Sequence, residues 1–274
     1  MHQSFQKLLR SAFLIALLAI CLPFSAHAAP PPMTMSIDAD NPAFTQSGGS
    51  GGSDGPLGFM TGISKSGTML GNMWGFRPFI GQYGMTLNVQ ETSEDLGNVS
   101  GGLHKGFEYD GLTQIDLQLD TQRAFGLYGG TFNLSALDIH GDNLSANNLG
   151  TLQTASGIEA DRGPRLWEAW YQQKFLDQDR LDVKIGQQSL DQEFMVSNNA
   201  NYFVNTMMGW AMVPSADLPG GGPAYPLSDI GIRVRARPVD GWTLMAGVFN
   251  GDPMGNNNNP DSQRADKYGT NFPL

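Results

Sequence analysis

From Phe79 onward, apolar and polar residues alternate along the chain. Between Phe79 and Glu91 the odd positions are Phe79, Gly81, Tyr83, Met85, Leu87 and Val89, with Gln82, Thr86, Asn88 and Gln90 between them. Between Phe107 and Asp120 the separation is cleaner. Phe107, Tyr109, Ile115, Leu117 and Leu119 share one face, and Glu108, Asp110, Gln114, Asp116, Gln118 and Asp120 share the other. Five more runs follow: Thr131 to His140, Arg165 to Phe175, Leu181 to Gln188, Ile230 to Arg237 and Trp242 to Phe249. A period of two is the period of a β-strand, and none of the runs carries a helical stripe. In the third run the apolar set slips from even (Phe132, Leu134) to odd (Leu137, Ile139), which predicts a bulge near Ala136.

Strand length and loop rhythm separate a membrane barrel from a soluble sandwich. Fourteen residues at ~3.3 Å span roughly 46 Å, and a 45° tilt projects that to about 32 Å, the thickness of a bilayer's hydrocarbon core. Strands of soluble proteins usually stop at about six residues. The connections run long (92–106), shorter (121–130), long (141–164), short (176–180), very long (189–229) and short (238–241), and lengthen again after Asn250. Long external loops alternating with short periplasmic turns are the pattern of outer-membrane barrels. Trp167, Tyr171 and Phe175 share one face of their run, and Trp242 begins another at a short turn, as an outward girdle of interfacial rings requires. The fold expected is all-β: a transmembrane antiparallel β-barrel.

The amino terminus is of another kind. Lys7 and Arg10 precede an apolar run from Ala12 to Phe24, too short to span a bilayer, and Ala26-His27-Ala28 forms an A-x-A cleavage site. Residues 1–28 are therefore expected to be a signal peptide. Residues 29–70, with Pro30-Pro31-Pro32 and the stretch Gly48-Gly49-Ser50-Gly51-Gly52-Ser53, form an expected flexible leader, and the barrel portion occupies 71–274. The only cysteine, Cys21, lies within the predicted signal, so the exported chain would be free of disulfides.

Charge narrows the partners. The whole chain has 26 acids and 16 bases, a formal net charge of −10. Without Lys/Arg runs to neutralise phosphates, nucleic acid is excluded as an expected partner. No cofactor is expected either: after signal removal only His104 and His140 remain as histidines, without cysteine or metal-ligand spacing, and no G-x-S-x-G, P-loop or H-E-x-x-H occurs. The chain does not read as an enzyme.

In a barrel of this width the polar face lines a water-filled lumen. Arg233, Arg235 and Arg237 then form a column of cations at ~7 Å intervals. Glu168, Trp170, Gln172 and Lys174 share the inward face of their run, Asp182 and Lys184 that of the next, and Asp116 lies among the acids of the second. Passing a sugar needs guanidinium and carboxylate forks for its hydroxyls and an aromatic surface for its C–H faces. The candidate pore-lining set is Glu168, Trp170, Arg233, Arg235, Arg237 and Asp116. The same ladder could equally set ion preference or hold a loop in place. The 189–229 connection carries Phe194, Tyr202, Phe203, Met207, Met208 and Trp210, too apolar to hang in water.

Several stretches carry a family resemblance. They are Phe107-Glu108-Tyr109-Asp110-Gly111-Leu112, Leu166-Trp167-Glu168-Ala169-Trp170-Tyr171, Val183-Lys184-Ile185-Gly186-Gln187 and Glu193-Phe194. Further on come Gly221-Gly222-Pro223-Ala224-Tyr225-Pro226, Gly231-Ile232-Arg233-Val234-Arg235 and Ala246-Gly247-Val248-Phe249-Asn250-Gly251-Asp252-Pro253. Over roughly residues 70 to 274 the chain resembles the carbohydrate-selective porin family, OprB type. The stretch Gly71-Asn72-Met73-Trp74-Gly75-Phe76-Arg77 departs from the family's G-D-x-G-G-x-R at Asn72 and Trp74. The resemblance implies a sixteen-stranded outer-membrane barrel through which glucose-like sugars diffuse. Seven runs, without a final strand before Phe272-Pro273-Leu274, give the expectation of the amino-terminal part of a longer porin. The partners expected are sugars, outer-membrane lipid and the barrel-assembly machinery, with a homo-oligomer left open. Two other functions stay open: a non-transporting outer-membrane or exported β binding module, and a general anion porin.

Overall fold

The computed structural model describes residues 70–151, 153–196, 203–205, 218 and 221–253, together with the backbone of Leu14–Cys21. In them, eight antiparallel strands form one open sheet. They are β1 (Leu14–Cys21), β2 (Met85–Asn98), β3 (Gly106–Asp120), β4 (Gly130–Gly141), β5 (Gly163–Phe175), β6 (Leu181–Gln188), β7 (Asp229–Ala236) and β8 (Thr243–Asn250). From β2 to β8 each strand pairs with the next in sequence, and β1 lies along the far side of β8. The backbone of β1, within the predicted signal, gives the β8 edge its ladder. The expected cleavage site and the expected leader up to residue 69 lie outside the described residues.

Six of the seven predicted runs coincide with β3 to β8 to within two residues at either end. The first is displaced. Phe79 to Gly81 belong to a helical turn, Phe76–Gly81, and the chain enters β2 only after Gly84. Gly84 has a φ of +76°, and a Cβ there would stand 2.8 Å from the Asp120 carbonyl oxygen and the Arg123 Cβ. At its other end β2 runs on to Asn98, pairing with β3 down to Gly106, so the first long connection shrinks to 99–105. From Glu91 to Asp95 the sequence is polar on both faces, and a strand without apolar positions shows no alternation to read.

The burial of the strands is inverted relative to a soluble protein. In β3, Asp116 is 4% exposed while its neighbours Ile115 and Leu117 are 43% and 36% exposed. In β7, Arg233 is 1% exposed while Ile232 and Val234 are 42% and 38% exposed. The polar face is the inner one and the apolar face is bare, which suits lipid on the outside and not water.

The two ends of the sheet also sort as expected. At one end the long connections bond to each other. The Leu103 and His104 N–H groups donate to the Asn148 carbonyl at 2.7 and 3.1 Å, and the Gly157 N–H donates to the Val204 carbonyl at 2.9 Å. At the other end the short turns meet: the Tyr128 hydroxyl donates to Asp179 Oδ1 at 2.7 Å, and the Arg180 guanidinium donates to the Pro238 carbonyl at 3.1 Å. Phe175 and Trp242 are exposed at this end, where interfacial rings belong.

Trp167 does not join them. It is 2% exposed and packs with Leu112, Leu137, Ile139, Ile158 and Ala160 on the inner face, its ring edge-on to Tyr225 at 6.3 Å. The cause is a bulge at the place the sequence suggests, beside Ala136, but with its extra residue on the facing strand. β4 pairs with β3 without interruption through Ala136. Against β5, however, Leu134 faces Ala169 and Ala136 faces Leu166, so the extra residue sits in β5, where Trp167 and Glu168 together oppose Ser135. The Ser135 hydroxyl accepts the Glu168 N–H at 3.1 Å, and Gln187 Nε2 donates to the Trp167 carbonyl at 3.0 Å. These bonds satisfy polar groups that the broken ladder would leave bare. The bulge turns Trp167 inward beside Glu168, and Leu137 and Ile139 supply the apolar surface it meets.

Candidate functional site

The charged centre of the inner face spans β5, β6 and β7. Register sets its rows: Gln172 lies opposite Lys184, which lies opposite Arg233, and Lys174 lies opposite Asp182, which lies opposite Arg235. In the first row two cations, Lys184 and Arg233, face each other, and in the second Asp182 lies between Lys174 and Arg235. Arg233 donates to Asp182 Oδ1, and Arg235 Nε donates to Asp182 Oδ2 at 2.7 Å. Gln172 Nε2 adds a third donor to Asp182 at 3.1 Å. One carboxylate therefore lies between two guanidinium groups that would otherwise repel.

A second layer lies above the first. Trp170 extends over Gly186, where a Cβ would collide with the tryptophan backbone and the Ala169 carbonyl. Lys184 Nζ sits 4.4 Å from the centre of a Trp170 ring, a cation–π contact. Trp170 Nε1 donates to Glu168 Oε2 at 3.0 Å, and the Ser189 N–H donates to Glu168 Oε1 at 2.9 Å.

The start of the β6–β7 connection closes over this layer. Glu193 pairs with Lys184 and, at 2.6 Å, with Arg233 Nε, while Arg233 also donates to Glu193 Oε1 at 2.9 Å. Burial alone would push the Glu193 carboxyl up, but Lys184 and Arg233 outweigh it and hold it at about 2. Leu190 and Phe194 flank Glu193 and are fully buried with Ala224 and Phe249, Phe194 meeting Phe249 edge-to-face at 6.1 Å. Phe249 has room because Gly231 and Gly247 lie beneath its ring. The two stems of the connection are tied as well. Asp191 accepts the Ser189 hydroxyl at 2.6 Å and the Tyr225 N–H at 3.0 Å, and burial pushes its carboxyl up.

Four of the six candidate residues, Glu168, Trp170, Arg233 and Arg235, thus lie in one contact network. Arg237 and Asp116 lie outside it. Arg237 is half-buried near the short turns, its N–H donating to the Arg180 carbonyl at 2.7 Å. Asp116 is on β3, two strands away from Glu168, and accepts from Gln114 Nε2 at 3.0 and 3.2 Å. Glu193, absent from the candidate set, is the network's loop member. Periodicity cannot point to it because it lies outside any strand.

The model of the family described as carbohydrate-selective porin, OprB family, matches residues 104–273. The chain belongs to this family. Two solved structures are similar to this OprB-family chain. The high-pH structure of Pseudomonas putida OprB is 22% identical with a TM-score of 0.60, covering 74% of this chain and 49% of that one. The low-pH structure of Pseudomonas putida OprB is also 22% identical, with a TM-score of 0.45, covering 68% of this chain and 51% of that one. The OprB-family chain therefore spans about half the length of the solved proteins it matches. No curated protein matches it. Among the described residues no helix is long and apolar enough to cross a membrane.

Proposed function

We propose that this chain is part of an outer-membrane porin, reached through a signal peptide removed after Ala28, through which glucose-like sugars diffuse. The observation that carries the reading is the inverted sheet: charged residues enclosed on one face and bare aliphatic residues on the other. An exported binding module folded in water would hide Ile232 and Val234 and expose Arg233. A bilayer asks for the reverse.

The charge balance of the network favours a neutral solute over an anion. Lys184, Arg233 and Arg235 are ion-paired with Asp182 and Glu193 within one cluster, so most of its positive charge is offset. A guanidinium already held by carboxylates can still offer N–H groups to hydroxyls. In this reading Arg235 and Arg237, the more accessible of the pore-lining set, touch the sugar. Trp170, Glu168, Arg233 and Asp116 form the wall behind them.

Liposome swelling tests the proposal. Vesicles containing the full-length protein should swell in isosmotic glucose faster than in a charged solute of similar size, and glucose should partly block its single-channel current. A protein that purifies as a water-soluble globule without detergent would overturn the reading.

A further inference from the structure

The strands alone do not make the wall neutral. Lys174 is paired with Asp179 near the short turns, which leaves three cations on β6 and β7, Lys184, Arg233 and Arg235, and one strand carboxylate ion-paired among them, Asp182. A second carboxylate comes from outside the sheet. Glu193 stands at the end of a short turn, Leu190–Gln192, whose first N–H donates to the Pro223 carbonyl at 2.7 Å and whose Leu190 carbonyl accepts the Phe194 N–H at 2.9 Å. Leu190 and Phe194 sink into the apolar cluster around Phe249, so the turn is fixed on both sides of Glu193. A carboxylate delivered by a fixed turn loses little further freedom on pairing, and it meets two cations at once.

We infer that Glu193 is a specificity-determining residue: the charged end of a loop latch that offsets the positive charge of Lys184 and Arg233 and so lowers the conduit's preference for anions. The inference rests on the porin reading above. A wall with an uncancelled cation in a low-dielectric setting concentrates anions, so selectivity for neutral solutes would depend on this one loop residue. The latch also connects selectivity with loop position, because releasing the carboxylate removes the polar tie that holds the turn against β6 and β7.

The test uses the full-length protein in planar bilayers under a potassium chloride gradient. Glu193→Gln should raise the chloride-over-potassium permeability ratio at least about threefold, since it uncovers one cation, while Glu193→Asp should stay near wild type. Adding Lys184→Met to Glu193→Gln should bring the ratio back, because one charge of each sign has then been removed. Should Glu193→Gln fail to insert, Lys184→Met alone carries the test. It should favour potassium, and the double variant should reverse that. A ratio that ignores Glu193 in a channel that conducts and is blocked by glucose overturns the latch and leaves the porin reading standing. A wild-type protein without any current overturns both.

Discussion

Arg233 and Arg235, two residues apart on β7, both donate to the carboxylate of Asp182 on β6. This one acid makes a column of like charges tolerable within a sheet. Asp182 is 2% exposed and so is the Arg233 side chain, so neither is screened by water. Breaking such a pair leaves an uncompensated buried charge.

Replacing Asp182 should therefore be severe. Asp182→Ala is expected to destabilise the folded protein by about 3–5 kcal/mol. Adding Arg233→Met should recover part of the loss, because the stranded charge goes with it. The temperature at which the detergent-solubilised protein loses its fast electrophoretic mobility measures both variants.

The bare face gives a test of sidedness. Ile232→Lys places a cation on the apolar side of β7 and should cost about 2–4 kcal/mol if that position lies near the bilayer midplane. Membrane insertion should fall accordingly. The neighbouring change Arg235→Gln should leave insertion intact. Yields from outer-membrane fractions of cells carrying each variant check the pair, and equal yields would contradict the assignment of faces.

The bulge at Trp167–Glu168 is held by a hydroxyl. Ser135→Ala removes the acceptor of the Glu168 N–H and should lower stability by about 1–3 kcal/mol, the cost of a buried donor left unpaired. Ser135→Thr should be milder. Thermal unfolding in detergent reads the difference.

The loop tether has a defined response to pH. Because the Glu193 carboxyl is depressed to about 2, its contribution is fully present above the ordinary carboxylate value of 4.5 and is lost as pH falls through about 2. The difference in ion selectivity between wild type and Glu193→Gln should therefore be constant from pH 7 to pH 5 in bilayer recordings and shrink as the pH nears 2. Glu159, in the 142–162 connection, behaves in the opposite way. Burial pushes its carboxyl up, so the protonated form is favoured and its burial becomes unfavourable as pH rises. Glu159→Gln is accordingly expected to stabilise the loop at neutral pH, as slower amide hydrogen exchange across that connection would report.

Much of this was legible in the chain itself. The alternation in Phe107–Asp120 and Ile230–Arg237 is a consequence of side chains pointing to opposite sides of a strand, so composition alone divides each ribbon into two faces. Connection lengths depend only on where those ribbons stop, and the pairing of each strand with the next follows from that order. The misplaced start of β2 shows the limit. Phe79 and Tyr83 alternate like a strand but belong to a turn sealed by Gly84 against Asp120, thirty-six residues further on.

The sequence by itself determined a two-faced, sequentially paired sheet with its long and short connections at opposite ends, because period and spacing are local properties. Tertiary structure alone decided that Trp167 turns inward and that Glu193 completes the ion network. The first depends on an extra residue in β5 relative to β4. The second depends on a loop turn fixed by Phe249, far along the chain. Neither leaves a periodic trace, since both arise from contacts between segments whose relative position no local pattern specifies.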